Sequence, residues 1–144
     1  MIKIKTFEVD DLDKFEPKGT FEDLERDMKR NIMDITKTML TYKIGDMTLA
    51  IVGVNEFRKG VGELWLLPSV HVDKYKKEFF KITKALIYGL VFPELGYHRL
   101  EIAILKDWKK GMRWVKALEF DFSHTCRAYD YLGNDHDIYY KVVM

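Results

Sequence analysis

The sequence predicts one α/β domain built on a mixed, mostly antiparallel sheet with helices on both faces. Three observations predict it. Short β-rich runs are separated by tight turn signals. One wide apolar stripe at helical spacing sits in mid-chain. Strand and helix patterns alternate through residues 1–144 without an internal repeat, linker or low-complexity stretch.

Each element has its own reason. MIKIKTFE alternates, with Ile2 and Ile4 on one side and Lys3 and Lys5 on the other, so it predicts a half-buried strand. DDLDKFEP predicts a helical turn stopped at Pro17. In residues 18–35, Thr20 and Asp23 resemble a capping box. Phe21, Leu24, Met28, Ile32 and Ile35 then form an apolar helical face. TKTMLTYKI and MTLAIVGVNEF predict a hairpin turning at Gly45-Asp46. ELWLLP follows as a third strand, and LWLL lacks alternation, which predicts burial on both faces.

Asp73 is placed to cap the long helix. Its stripe runs through Phe79, Ile82, Leu86 and Leu90 until Pro93 breaks it. RLEIAIL predicts a strand, Asp107 a cap, and DWKKGMRWVKAL a short helix. FDFSHTCRAYDYL and DIYYKVV predict two strands joined through Gly133, Asn134 and Asp135.

The chain has 144 residues, 47% of them hydrophobic, enough for a core without disulfides or metal. Lys and Arg number 24 against 23 Asp and Glu, so the charge balance calls for no nucleic acid and no anionic membrane. The single cysteine, Cys126, excludes an internal disulfide and suits a reducing compartment. The N-terminus lacks the apolar stretch of a signal peptide. The longest apolar run, residues 85–92, is far short of the ~20 that span a bilayer. A soluble cytoplasmic protein is expected.

The element order resembles the GNAT superfamily of acyl-CoA-dependent N-acetyltransferases across nearly the whole chain. The closest part is HRLEIAILKDWKKGMRWVKALEFDFSHTCRAYDYLGNDHDIYYKVV. There the family's leucine-glycine-phenylalanine step reads Leu118-Glu119-Phe120. The meander ending in ELWLLPS is similar to the family's central strand. TLAIVG followed by a Trp-bearing strand also resembles small GNAT-like proteins of short-tailed phages, including an internal virion protein.

The resemblance implies a fold, a cofactor and a site. Acetyl-CoA would use the splay between ELWLLPS and RLEIAIL. Leu66 and Leu67 would hold pantetheine through their backbone and polarise the thioester carbonyl. Pyrophosphate would meet the start of the long helix at Val70, His71, Val72 and Lys74. Glu63 would take the amine's proton through water. Two family features are missing. The glycines of the pyrophosphate signature fall on lysines, and the tyrosine acid of the last helix falls on Val115. The alternative is therefore a GNAT-like domain without activity, an interaction or virion component with a protein partner. The acceptor would be an amine.

Other groups read as structure. Lys74, Lys76 and Lys77 form a surface stripe. His124 and Cys126 share a strand face without a third orienting residue. Asp135-His136-Asp137 is a turn rather than a metal site, and no metal is expected. KDWKKGMRW reads as a solvated helix face. Trp65, Trp108, Trp114, Phe79 and Phe80 read as core.

Overall fold

A computed structural model describes residues 1–13, 15–16 and 38–144. The helix expected over 18–35 and the stop at Pro17 lie outside them. The strands are β1 (Lys3–Thr6), β2 (Thr38–Ile44), β3 (Met47–Arg58), β4 (Val61–Pro68), β5 (Arg99–Leu105), β6 (Asp121–Cys126) and β7 (His136–Val142). The α-helices are α1 (Lys76–Leu86) and α2 (Lys109–Ala117). The strands belong to one seven-stranded sheet in the order β1-β2-β3-β4-β5-β7-β6. The chain forms two compact units, Met1–Glu56 with Trp65–Thr83, and Phe57–Leu64 with Lys84–Met144.

In the first unit, β1 pairs antiparallel with β2, and β2 with β3. The β2–β3 turn is the expected one, with Gly45 at φ +58, where a side chain would be strained. Ile2 is buried, but Ile4 is 38% exposed, against the expectation from alternation. Ile2 lies just before β1, and β1 itself stands at the edge of the described sheet, where Ile4 is left partly in solvent. Leu12, Phe15, Ile51 and Leu67 form a buried cluster joined by Phe7, Met39 and Trp65. The Tyr42 hydroxyl shares a 3.0 Å hydrogen bond with Thr83, and its ring meets Phe79 edge-on. Burial pushes the Tyr42 phenol up to about 12, so it stays neutral.

Asp11 ties this unit's N-terminal part together. It belongs to a 3-10 turn, Val9–Leu12, and is almost fully buried. Its carboxylate accepts the Glu8 N–H and the Thr41 hydroxyl, each at 2.8 Å. Lys5 lies at 2.9 Å and Lys43 at 3.4 Å. Burial alone would raise its pKa, but the Glu8 N–H, Lys5 and Thr41 outweigh burial and hold it below 3.8.

LWLL is not buried on both faces. Leu64 and Leu67 are buried, while Trp65 and Leu66 are half-buried. The in-out alternation slips at that pair, so two neighbours both meet the edge of the core. α1 does not start on Asp73. A 3-10 turn, Val72–Tyr75, precedes it, His71 caps that turn without a side-chain bond, and Asp73 instead lies 4.0 Å from Lys76. The stripe continues beyond α1 as a π-turn, Ile87–Val91.

In the second unit, β5 pairs antiparallel with β7, and β7 with β6. Leu100, Ile102 and Ile104 point into the core and are buried. Val115, Leu118 and Phe120 are buried as well. Asp107 is not the cap of α2. It sits at φ +67, and Trp108 caps instead, in extended conformation. Trp108 is 45% exposed rather than core, because its ring covers the first turn of α2, where only Gly111 leaves room.

α2 ends in a Schellman motif. The N–H groups of Glu119 and Phe120 return to the carbonyls of Lys116 (2.9 Å) and Val115 (3.2 Å). Tyr88 donates a 2.6 Å hydrogen bond to the Leu118 carbonyl. The motif puts Glu119 at φ +71, at the family's glycine step.

Two outcomes follow. Glu119→Gly relieves a left-handed side chain and should stabilise the protein by about 1 kcal/mol, read as a higher melting temperature; an unchanged or lower one contradicts this. Asp11→Ala should cost about 2–3 kcal/mol in denaturant unfolding. The stability that Asp11 lends is complete above 3.8 and is lost as pH falls through its lower folded value. The mutant should therefore lose stability less steeply in acid than the wild type does.

Candidate active site

β4 and β5 form the parallel pair of the second unit, and their ladder is short. Val61 pairs with Arg99, Gly62 with Leu100 and Glu63 with Glu101, and there it ends. β4 nevertheless runs on to Pro68 and β5 to Leu105. Glu63 thus stands at the last rung. In a parallel ladder, paired residues face the same side, so its carboxyl lies beside that of Glu101.

Glu63 is half-buried, and burial raises its pKa above 4.5. The Tyr129 hydroxyl donates a 2.6 Å hydrogen bond to Glu63 Oε2, which draws the value back down. Glu101 pushes it up and His136 pulls it down more weakly. Arg99 partly quenches Glu101, with Nε and a terminal nitrogen both 3.1 Å from Glu101 Oε2. Arg99 also stacks over Tyr140, 4.6 Å from the ring centre. The net result is a carboxyl more basic than a solvated glutamate, in contact with a neutral donor.

Tyr129 is the residue that sequence reasoning misplaced. FDFSHTCRAYDYL does not run as one strand. β6 stops at Cys126, and Tyr129 lies in the connection to β7. The Tyr129 N–H donates to the Asn134 carbonyl (2.8 Å) and the Ala128 N–H to the Asp135 carboxylate (2.8 Å). Burial first, then the Glu63 hydrogen bond and charge, hold the Tyr129 phenol far above its ordinary 10. The turn-formers Asp130, Gly133, Asn134 and Asp135 were the signal that the strand ends early.

The remaining expected site residues lie in the first unit. Leu66 is half-buried and Leu67 buried. Val70 and Lys74 are exposed, His71 is half-buried and Val72 buried. Four backbone amides of this segment already have acceptors. Val70 donates to the Glu16 carbonyl, His71 to the Ser69 hydroxyl, Val72 to the Ser69 carbonyl and Lys74 to the His71 carbonyl. Val115 is fully buried and carries no acid chemistry.

His124 and Cys126 do meet, with Sγ 3.4 Å from Nε2, and a third residue is present after all. The Ser123 hydroxyl lies 2.9 Å from His124 Nδ1, because the β6–β7 register shifts between Phe122 and His124.

The Glu63–Tyr129 contact carries a measurable outcome. Glu63→Gln removes the charge and the strong acceptor that hold the Tyr129 proton. Tyr129 should then ionise at lower pH, although burial keeps it above 10. An ultraviolet titration, with Tyr129→Phe as subtraction reference, reads this; an unmoved Tyr129 transition would mean the two groups do not interact.

No protein-family model matches the chain, and no curated protein matches it. Solved structures do. A spermidine N-acetyltransferase mutant from Vibrio cholerae aligns at TM-score 0.70 and 14% identity, covering 98% of this chain and 93% of that one. A structure described as an acetyltransferase aligns at 0.76 and 12%, covering 98% and 82%. A ribosomal-protein-S5-alanine acetyltransferase from Vibrio fischeri aligns at 0.68 and 14%, covering 98% and 92%. At such identities the likeness speaks of shape: this chain has the fold of the GNAT acetyltransferases.

Proposed function

We propose that the protein is an N-acyltransferase that moves an acetyl group from acetyl-CoA to an amine. The observation that carries this reading is Glu63: a half-buried carboxyl of raised pKa, at the last rung of a parallel ladder, held by a neutral phenol. An ammonium acceptor must lose a proton before its nitrogen can attack a thioester. A carboxylate made more basic by burial is suited to take it, directly or through one water.

The chain fits acetyl-CoA in one part and less well in another. Beyond Glu63 the ladder to β5 has ended, so Leu66 and Leu67 suit pantetheine amides added as a further strand would be. The turn ahead of α1 is a poorer cradle, since the amides of Val70, His71, Val72 and Lys74 are already engaged. Phosphate recognition there would fall to side-chain charge, with Lys74 and Lys77 as the cations. Acetyl-CoA supplies the activated acyl group. The chain's own part is to hold Glu63 deprotonated and Tyr129 protonated. A protonated phenol beside the base can also donate to the departing thiolate.

Those engaged amides favour a second reading, a GNAT-like domain that binds a protein partner without transferring anything. In its narrowest form it is a virion or assembly component.

Melting with acetyl-CoA separates the two. At a hundred times the dissociation constant, native-state binding should add about 2.7 kcal/mol. No shift at millimolar acetyl-CoA ends the first reading. If it binds, Glu63→Gln should lower kcat for amine acetylation by about 10²–10⁴-fold while the acetyl-CoA-induced shift persists. Full activity in that variant would remove Glu63 from the chemistry.

A further inference from the structure

Tyr129 does not reach Glu63 by its own geometry. It projects from a connection that has no strand pairing, with Ala128 at φ +49, and such a segment would ordinarily scatter its side chains. Asp130 braces it from within. Its Oδ1 accepts the N–H groups of Leu132 (3.0 Å) and Asn134 (2.8 Å). Its Oδ2 accepts Asn134 Nδ2 (3.1 Å) and His136 Nε2 (3.0 Å). Asn134 in turn takes the Tyr129 N–H on its carbonyl.

His136 is the fixed end of this brace. It opens β7 and is paired on both sides, with Leu105 of β5 and Cys126 of β6. Its ring lies 5.2 Å from the Tyr129 ring, tilted by 46°. Among the described residues its Nδ1 is buried without a hydrogen-bond partner, so the imidazole works here through its Nε2 and its ring. The imidazole therefore holds the loop's carboxylate with one atom and packs at a tilt against the tyrosine ring. Burial pushes the Asp130 carboxyl up, but the hydrogen bonds from His136 and Asn134 together outweigh it and pull it down to about 2, so the carboxylate stays charged in the neutral range.

We propose that His136, through Asp130 and by its tilted contact with the tyrosine ring, is a positioning residue that sets the Tyr129 hydroxyl on Glu63. This rests on the reading of Glu63 as base. A displaced phenol leaves Glu63 without its donor and leaves the acid out of line, and small misplacements of reacting groups cost heavily in rate.

The test uses His136→Phe, which keeps a ring but loses the Nε2 donor, and His136→Gln, which keeps a donor but loses the ring. Each is made alone and with Tyr129→Phe. The first readout is the Tyr129 titration in the free protein. It should fall toward its ordinary 10 in both variants, because the Glu63 contact that raises it is loosened. The second readout is amine acetylation. Here kcat should fall by about 10- to 100-fold with the KM for acetyl-CoA unchanged. In the Tyr129→Phe background the same His136 changes should cost nothing more, since the residue they act through is gone. A Tyr129 titration that stays put in both variants overturns the proposal, as does an equal loss with and without Tyr129. The titration needs no turnover. A shifted titration in a protein that transfers no acetyl group would uphold the brace and remove the acyltransferase reading.

Discussion

A carboxyl partly withdrawn from water ionises less readily unless something donates to it, and at Glu63 the donor is the hydroxyl of Tyr129, a phenol that is neutral in the neutral range. The two groups set each other's state. The phenol keeps Glu63 from rising as far as burial and Glu101 would push it. The carboxylate keeps the phenol from ionising. The ladder between β4 and β5 makes this possible by ending at Glu63.

The same logic recurs at two carboxylates that carry no chemistry. Asp11 gathers one backbone N–H, a hydroxyl and two lysines, and Asp130 gathers two backbone N–H groups, an amide and the His136 imidazole; each thereby stiffens a stretch without a ladder of its own. Asp11 pins a 3-10 turn to β1 and β2. Asp130 shapes the connection that presents Tyr129. A charged side chain with several donors can do for an irregular segment what a strand partner does for a regular one.

Strands and the long helix were legible because burial writes period into sequence. β5 came out as RLEIAIL and β2–β3 turned at Gly45-Asp46, as their patterns require. Glu63 was expected to open the central strand, but β4 starts two residues earlier, at Val61. The place of Tyr129 was not legible, because aromatic residues favour strands, and the turn-formers that follow it mark a loop without marking where the strand before it stops. Four side-chain-mediated hydrogen bonds to Asp130 outweigh that preference, and they depend on a fold already formed. Caps failed in a similar way. Asp73 and Asp107 have the right chemistry, but one fell inside a 3-10 turn and the other took a left-handed conformation. Composition states which residues can cap; the chain's path decides which do.

The central claim is that Glu63 is a base strengthened by its surroundings. The most direct measurement is a carbon NMR titration of its carboxyl in the wild-type protein. The account requires a midpoint above 4.5 that moves higher still in Tyr129→Phe. A midpoint at or below 4.5, indifferent to Tyr129, would contradict it.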